Sequence, residues 1–215
     1  METCYMCSSA KTSMEHVPPK CLFPEQSDSK GKDYRRELIT VPSCDEHNSR
    51  KSKNDEYFLL CLSMNIFGSQ ASQTHQTTKL LRILERTPHL LVSMFPSLQS
   101  GGSIEQAVPV YNIDGKRFYA QLQHIGYGVY FHKYGARWNK EIIVVPISGI
   151  ISTDVLLNKQ YHSTAEQVIP LFSKIERQGK NEEVFFYQFA ESESGPLVML
   201  TFYEKIKILL CPSKS

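Results

Sequence analysis

Apolar side chains are sparse and irregular from Met1 to about Phe58, and regular after it. The early exception is Leu38-Ile39-Thr40-Val41, a short β-branched run that predicts a strand closed by Pro42-Ser43. Ser27 to Lys32 reads as an exposed loop. Then Tyr57, Leu60, Cys61, Met64 and Phe67 recur at helical spacing until Gly68 stops them. Thr78 to Glu85 and His89 to Leu98 predict two further short helices parted by Thr87-Pro88, and Ser100-Gly101-Gly102-Ser103 reads as a linker. Beyond it, Val108 to Tyr111 and Arg117 to Tyr119 flank Asp114-Gly115, which predicts a hairpin. Leu122 to Tyr134 predicts a helix ended by Gly135, and Ile142 to Val145 a buried strand. Thr164 to Gln178 predicts an amphipathic helix with Val168, Leu171, Phe172 and Ile175 inward. Glu183 to Ala190, Leu197 to Tyr203 and Ile206 to Leu210 predict three consecutive antiparallel strands.

Composition narrows the class. A chain of 215 residues, 41% hydrophobic and 21% charged, can bury a core and is long enough for one large or two small domains. The net charge of +2 is a weak electrostatic footprint for a nucleic-acid binder. Up to Asp55, cationic and anionic side chains are equal in number, and only Arg50, Lys51 and Lys53 cluster. A bound divalent cation can itself attract phosphate, so balance does not exclude nuclease chemistry. Six cysteines are too few for a secreted disulfide framework, the N-terminus lacks a signal-peptide pattern, and no apolar run approaches a membrane span. The expectation is a cytoplasmic protein with reduced thiols and no membrane partner.

Four of those thiol and imidazole groups are paired: Cys4 with Cys7, and Cys44 with His47, each as a ligand-x-x-ligand turn. Zinc takes four tetrahedral Cys or His ligands, and this spacing lets both side chains of one turn reach one ion. The polar first stretch cannot close a core alone, so a zinc clip is physically reasonable. Isolated buried cysteines are common, but two such pairs favour zinc. Cys21 is a reserve ligand; Cys61 and Cys211 sit in apolar runs and read as core. His47 has three readings, in order: zinc ligand, ligand of a second metal beside Asn48, or solvated residue at the start of a helix.

Between the two pairs lies Glu15-His16-Val17-Pro18-Pro19, and after the second comes Asn48-Ser49-Arg50-Lys51-Ser52. This arrangement, from Cys4 to about Phe58, resembles the HNH (ββα-metal) nuclease family. In that family a strand carries an Asp-His or Glu-His pair, matched by Glu15-His16. A short helix supplies an Asn or His that holds the catalytic metal, matched by Asn48, with Lys51 as the basic residue three positions on. The second zinc pair here is Cys-x-x-His rather than Cys-x-x-Cys, and the family's middle Asn is replaced by an apolar residue, Ile39 or Val41.

The chemistry of these residue types agrees with the resemblance. Phosphodiester hydrolysis needs an activated water, a Lewis acid on the phosphate and a stabilised leaving oxygen. A neutral imidazole at His16 can take the proton. Glu15 and Asn48 offer hard oxygens suited to Mg2+ or Mn2+, although neighbours on a strand point to opposite faces, so Glu15 reaches a shared ion only through twist. Lys51 or Arg50 can offset transition-state charge. Taken alone, Glu15-His16 reads as a surface dipeptide; between the two ligand pairs the catalytic reading is preferred. His124 and His132 read as structural or interface residues, and the aromatic side chains of the second half as core rather than base-stacking groups.

The combined expectation is an α+β fold: a zinc-stabilised ββα finger over residues 1–58, a helical connector over 59–100, and a mixed domain with antiparallel sheet over 104–215. The expected function is metal-dependent cleavage of DNA, in phage defence or mobile-element biology as the resemblance implies. The alternatives are a non-catalytic zinc module that binds nucleic acid or protein, and a nuclease acting on RNA. The C-terminal domain would contact the target, a partner protein or a second copy.

Overall fold

The computed structural model describes residues 2–48, 52–63, 73–74, 78, 82, 85–86, 113–150, 152 and 154–213. The fold is mixed α+β with two antiparallel sheets. Strand β1 (Ser13–His16) pairs with β2 (Thr40–Ser43), placing Ser13 opposite Ser43 and His16 opposite Thr40. Pro42 lies inside β2 rather than after it, and the strand ends at Ser43, two residues beyond the expected Val41. A two-stranded sheet leaves one edge of each strand without a ladder, so a proline is tolerated there. Helix α1 (Ser52–Ser63) follows; its Tyr57 to Ser63 are all buried.

Helix α2 (Gly115–Tyr134) replaces the hairpin expected at Asp114-Gly115. Asp114 is the N-cap, and its carboxylate accepts the Arg117 N–H at 3.2 Å. Asp is as good a helix cap as a turn residue. Phe118, Leu122, Ile125 and Val129 then keep one helical face buried. Gly135 closes the helix in the left-handed region, φ 64°, its N–H bonded to the Phe131 carbonyl at 2.8 Å.

The larger sheet has the order β3-β6-β5-β4, from β3 (Ile142–Ser148), β4 (Phe185–Ala190), β5 (Leu197–Phe202) and β6 (Ile206–Pro212). The last three strands form the expected antiparallel meander. β3 was expected to be buried throughout but is an edge strand, so Ile143 is exposed while Ile142 is covered. Helix α3 (Val155–Phe172) starts nine residues before the expected Thr164 and ends before Gln178. Asp154 caps it, accepting the N–H groups of Leu156 and Leu157. Pro170 removes a donor in the last turn, and Ser173 bonds back to the Pro170 carbonyl instead. Val155, Leu156 and Leu171 are exposed, so the inward set expected for this helix loses Leu171 and keeps Phe172, with Val168 and Ile175 at its margin.

Side-chain alternation along β5 splits the core. Val198, Leu200 and Phe202 join a large cluster that runs on through α2 and α1 to Val17, Leu22, Phe23, Val41 and Cys4. Met199 faces the other side, with Ile147, Leu209, Ala165 and Phe172 under α3. Two glycines of α2 set how closely these layers approach. A Cβ at Gly126 would lie 2.5 Å from Leu210 Cδ1, and one at Gly128 would lie 2.6 Å from Val17 Cγ2. Helix α2 is therefore pressed between the small N-terminal sheet and the large one.

The boundary expected after residue 58 falls within α1. The expected helix over 89–98, the linker at 100–103 and the strand at 108–111 lie outside the described residues, as does the helix over 78–85 apart from isolated positions. No helix among the described residues is long and apolar enough to cross a membrane.

Candidate metal centre

Two tight turns bring the paired ligands together. The Thr3 to Ala10 bridge closes a knuckle in which Cys4 N–H bonds to the Ser9 carbonyl at 2.9 Å and Met6 N–H points at Cys4 Sγ, 3.5 Å away. In the second turn, the N–H groups of His47 and Asn48 both bond to the Cys44 carbonyl. Tyr5 N–H to the Pro42 carbonyl, at 2.8 Å, ties the first knuckle to β2.

The four ligand atoms of Cys4, Cys7, Cys44 and His47 lie within 4.8 Å of one another. His47 Nδ1 is 3.5 Å from Cys4 Sγ, 3.6 Å from Cys7 Sγ and 3.3 Å from Cys44 Sγ, and the Cys7 and Cys44 sulfurs are 3.7 Å apart. Zinc bond lengths of about 2.3 Å to sulfur and 2.0–2.1 Å to nitrogen give tetrahedral edges of about 3.8 Å and about 3.5 Å. The donor set and its spacing fit, and the cluster could hold a metal such as zinc. Cys4 and Cys44 are buried, Cys7 and His47 half-buried. Without an ion, hydrogen bonding from Ser9 lowers the Cys7 pKa and burial raises that of Cys44; a bound cation would hold both as thiolates.

The reserve ligand Cys21 is not in the cluster; its thiol points to the Asp55 carbonyl at 3.4 Å. Cys61 is buried, with its pKa pushed up to about 12 by desolvation, and Cys211 packs at the edge of the smaller core. His124, read from sequence as structural, stands beside the cluster: its ring centroid is 5.9 Å from that of His47. Only the docking of α2 brings it there, so no local pattern announces it.

Glu15 and His16 close β1 with opposite orientations. Glu15 is only 4% exposed and turns inward, where its charge, with that of Asp55, acts on the buried Tyr5 phenol and raises its pKa behind desolvation. His16 is half-buried on the other face. Desolvation first, then the charges of Lys20 and Arg35, lower its pKa below the ordinary 6.5, so the imidazole is neutral at pH 7. Lys20 comes from the turn after Pro19, and Arg35 from a loop where it pairs with Glu25 at 3.1 Å and donates to the Phe23 carbonyl. Sequence spacing did not single out either cation.

Asn48 Nδ2 donates to Ser13 Oγ at 2.8 Å and to the Met14 carbonyl at 3.3 Å. It therefore meets the start of β1, on the face that Ser13 shares with Glu15, and not the His16 end. Lys51, together with Arg50, lies outside the described residues. A groove lies between Val17-Pro18, Leu38-Ile39 and Gly179 to Asn181.

Comparison with protein-family models, with curated proteins and with solved structures returns no match for this chain.

Proposed function

We propose that the N-terminal part of this chain is the catalytic module of an HNH-type endonuclease that hydrolyses DNA phosphodiester bonds. The observation that carries the reading is His16: a neutral imidazole on a strand braced by a four-ligand cluster, with Lys20 and Arg35 supplying positive charge beside it. A neutral imidazole accepts a proton from water, and the Lys20 ammonium favours an approaching phosphate, while the Arg35 charge is shared with Glu25. Glu15 and Asn48 lie along one face of β1 and offer a carboxylate and a carboxamide oxygen. That donor chemistry suits Mg2+ or Mn2+, which these two residues would hold. When bound, such an ion supplies Lewis-acid polarisation of the phosphate. Asn48 keeps its amide nitrogen on Ser13 and Met14, so its carboxamide oxygen is the atom it would offer to an ion. Lys51 remains the proposed basic residue on the sequence match alone. A setting in phage defence or mobile-element biology rests on the same resemblance.

One observation favours a second reading. Glu15 is buried and His16 points the other way, the arrangement expected if the cluster serves a non-catalytic zinc module. A supercoiled-plasmid assay with magnesium, manganese or no added divalent ion, beside an RNA substrate, separates the readings. Metal-dependent nicking that is lost in His16→Ala supports the nuclease. Intact plasmid under every metal condition, with zinc content stoichiometric, leaves the zinc module.

A further inference from the structure

We infer that the exposed run from His132 to Lys140, at the C-terminal end of α2, is a docking surface for the phosphate backbone of a DNA duplex. The inference rests on the nuclease reading for the direction in which the substrate runs, but not for the charge and exposure that define the surface.

The run His132-Lys133-Tyr134-Gly135-Ala136-Arg137-Trp138-Asn139-Lys140 holds three cationic side chains and no acidic one. The whole chain carries +2, so everything outside these nine residues sums to −1. Several other described cations are matched: Lys11 with Glu2, Lys32 with Glu183, Arg35 with Glu25, Arg36 with Glu37, Arg177 with Glu182. Lys133, Arg137 and Lys140 make no ion pair among the described residues. Lys133 Nζ lies over the Phe189 ring, 4.4 Å from its centroid, and Lys140 Nζ donates to the Ser194 carbonyl at 3.0 Å. The nearby carboxylate of Glu191 is engaged by the Tyr134 hydroxyl at 3.2 Å, and Glu141 follows the run directly.

The surface is also held in place. Every residue of the run except Trp138 is exposed. Trp138 is buried, its ring 4.9 Å from Tyr130, which pins the loop after Gly135 to the helix. A pinned loop presents its charges without paying to order them on binding. The run is continuous with the proposed active strand. Gly128 lies against Val17, the residue after His16. His132 follows Gly128 by one helical turn, about 6 Å along the axis. A backbone held near His16 would have these cations as its next contacts along α2.

Fluorescence anisotropy with a labelled DNA duplex, and an RNA duplex of the same sequence, tests this over a salt series with calcium in place of magnesium. The variant is K133Q/R137Q/K140Q; the control, K159Q/K174Q/K205Q, makes the same change in net charge elsewhere. The variant should bind at least about tenfold more weakly at moderate salt, and its log K against log salt slope should fall by up to about 2.7, at about 0.9 per lost phosphate contact. The control should bind like wild type, and the melting temperatures of all three should agree. Patch-dependent binding of the RNA duplex but not of the DNA duplex overturns the DNA assignment. Equal binding by variant and wild type on both duplexes, or equal weakening in the control, overturns the surface. Patch-dependent binding without cleavage under magnesium or manganese overturns the nuclease reading and leaves the surface standing.

Discussion

Cys44 and His16 make different demands on the same small sheet. Cys44 belongs to a ligand set whose interatomic distances match tetrahedral edges, so its sulfur closes the clip that a polar stretch needs to stay folded. Cys44→Ser should therefore lose bound zinc and melt the N-terminal part, whereas His47→Cys should retain the ion; elemental analysis beside circular dichroism distinguishes them. His16 lies outside that set. On the proposed function, His16→Ala should lower cleavage by ~10²- to 10⁴-fold, the usual worth of a general base, with zinc content and melting temperature unchanged. Retention of the wild-type rate would transfer the assignment to the zinc-module reading. Glu183 carries a pH signature of its own. Its carboxylate accepts the Tyr34 hydroxyl at 2.8 Å and pairs with Lys32, and the Lys32 hydrogen bond, first among the causes, holds its pKa below the ordinary 4.5. A depressed carboxylate stabilises the fold above its unfolded pKa and loses that contribution as pH falls through the lowered value. Wild type should thus outlast Glu183→Gln in thermal melts near neutrality, with the gap closing below about pH 4.5, where the unfolded carboxylate already binds its proton.

At the scale of elements, α2 is the piece the other parts meet. Its N-terminal half grips α1: Arg117 donates to Asn54 at 3.0 Å and stacks over Tyr57, and Gln121 donates to Asp55 at 2.9 Å. Its middle touches Val17 on one side and Leu210 on the other through the two glycines. Alanine is the better helix former by ~1 kcal/mol. Even so, Gly128→Ala should destabilise, because overpacking typically costs ~1–3 kcal/mol. Adding Val17→Ala should recover part of the loss, and the coupling in a double-mutant denaturation cycle would show it. Additive effects would mean that the two side chains do not compete for space. The Tyr203-Glu204 turn between β5 and β6 also depends on a distant part. Tyr203 has a positive φ of 48°, which a bulky residue adopts at a cost, yet it is fully buried and its hydroxyl donates to the Leu22 carbonyl at 3.0 Å.

For the whole molecule, the shared core matters more than the change in texture along the chain. The large apolar cluster includes Cys4, Val17 and Leu22 together with Phe202 and Leu210. The segment 1–63 would leave that cluster open wherever it now meets α2 and β6. Expressed alone with zinc, it should bind the ion through its two turns but fail to give the sharp, dispersed amide spectrum of the full chain. A well-dispersed spectrum from that segment would show that the clip alone suffices.

What the sequence determined by itself is local. Two ligand pairs with two intervening residues each form within a single turn, so Cys4, Cys7, Cys44 and His47 were legible as a cluster before any fold was known. The β4-β5-β6 meander was legible for the same reason, since alternation and short turns act between neighbours. The N-terminal end of α2 was misread because Asp-Gly serves a turn and a helix cap equally well, and the choice falls to the burial of Phe118 against α1. The early start of α3 went unseen because Val155 and Leu156 face solvent and add nothing to an inward periodicity. Tertiary structure alone decided that Glu15 is fully buried while His16 is half-buried, that Lys20 and Arg35 act on His16, and that Asn48 meets Ser13. It also brought His124 beside His47. Each of these depends on contacts between segments far apart in the chain, whose closure is set by the shared core rather than by any pattern of adjacent residues.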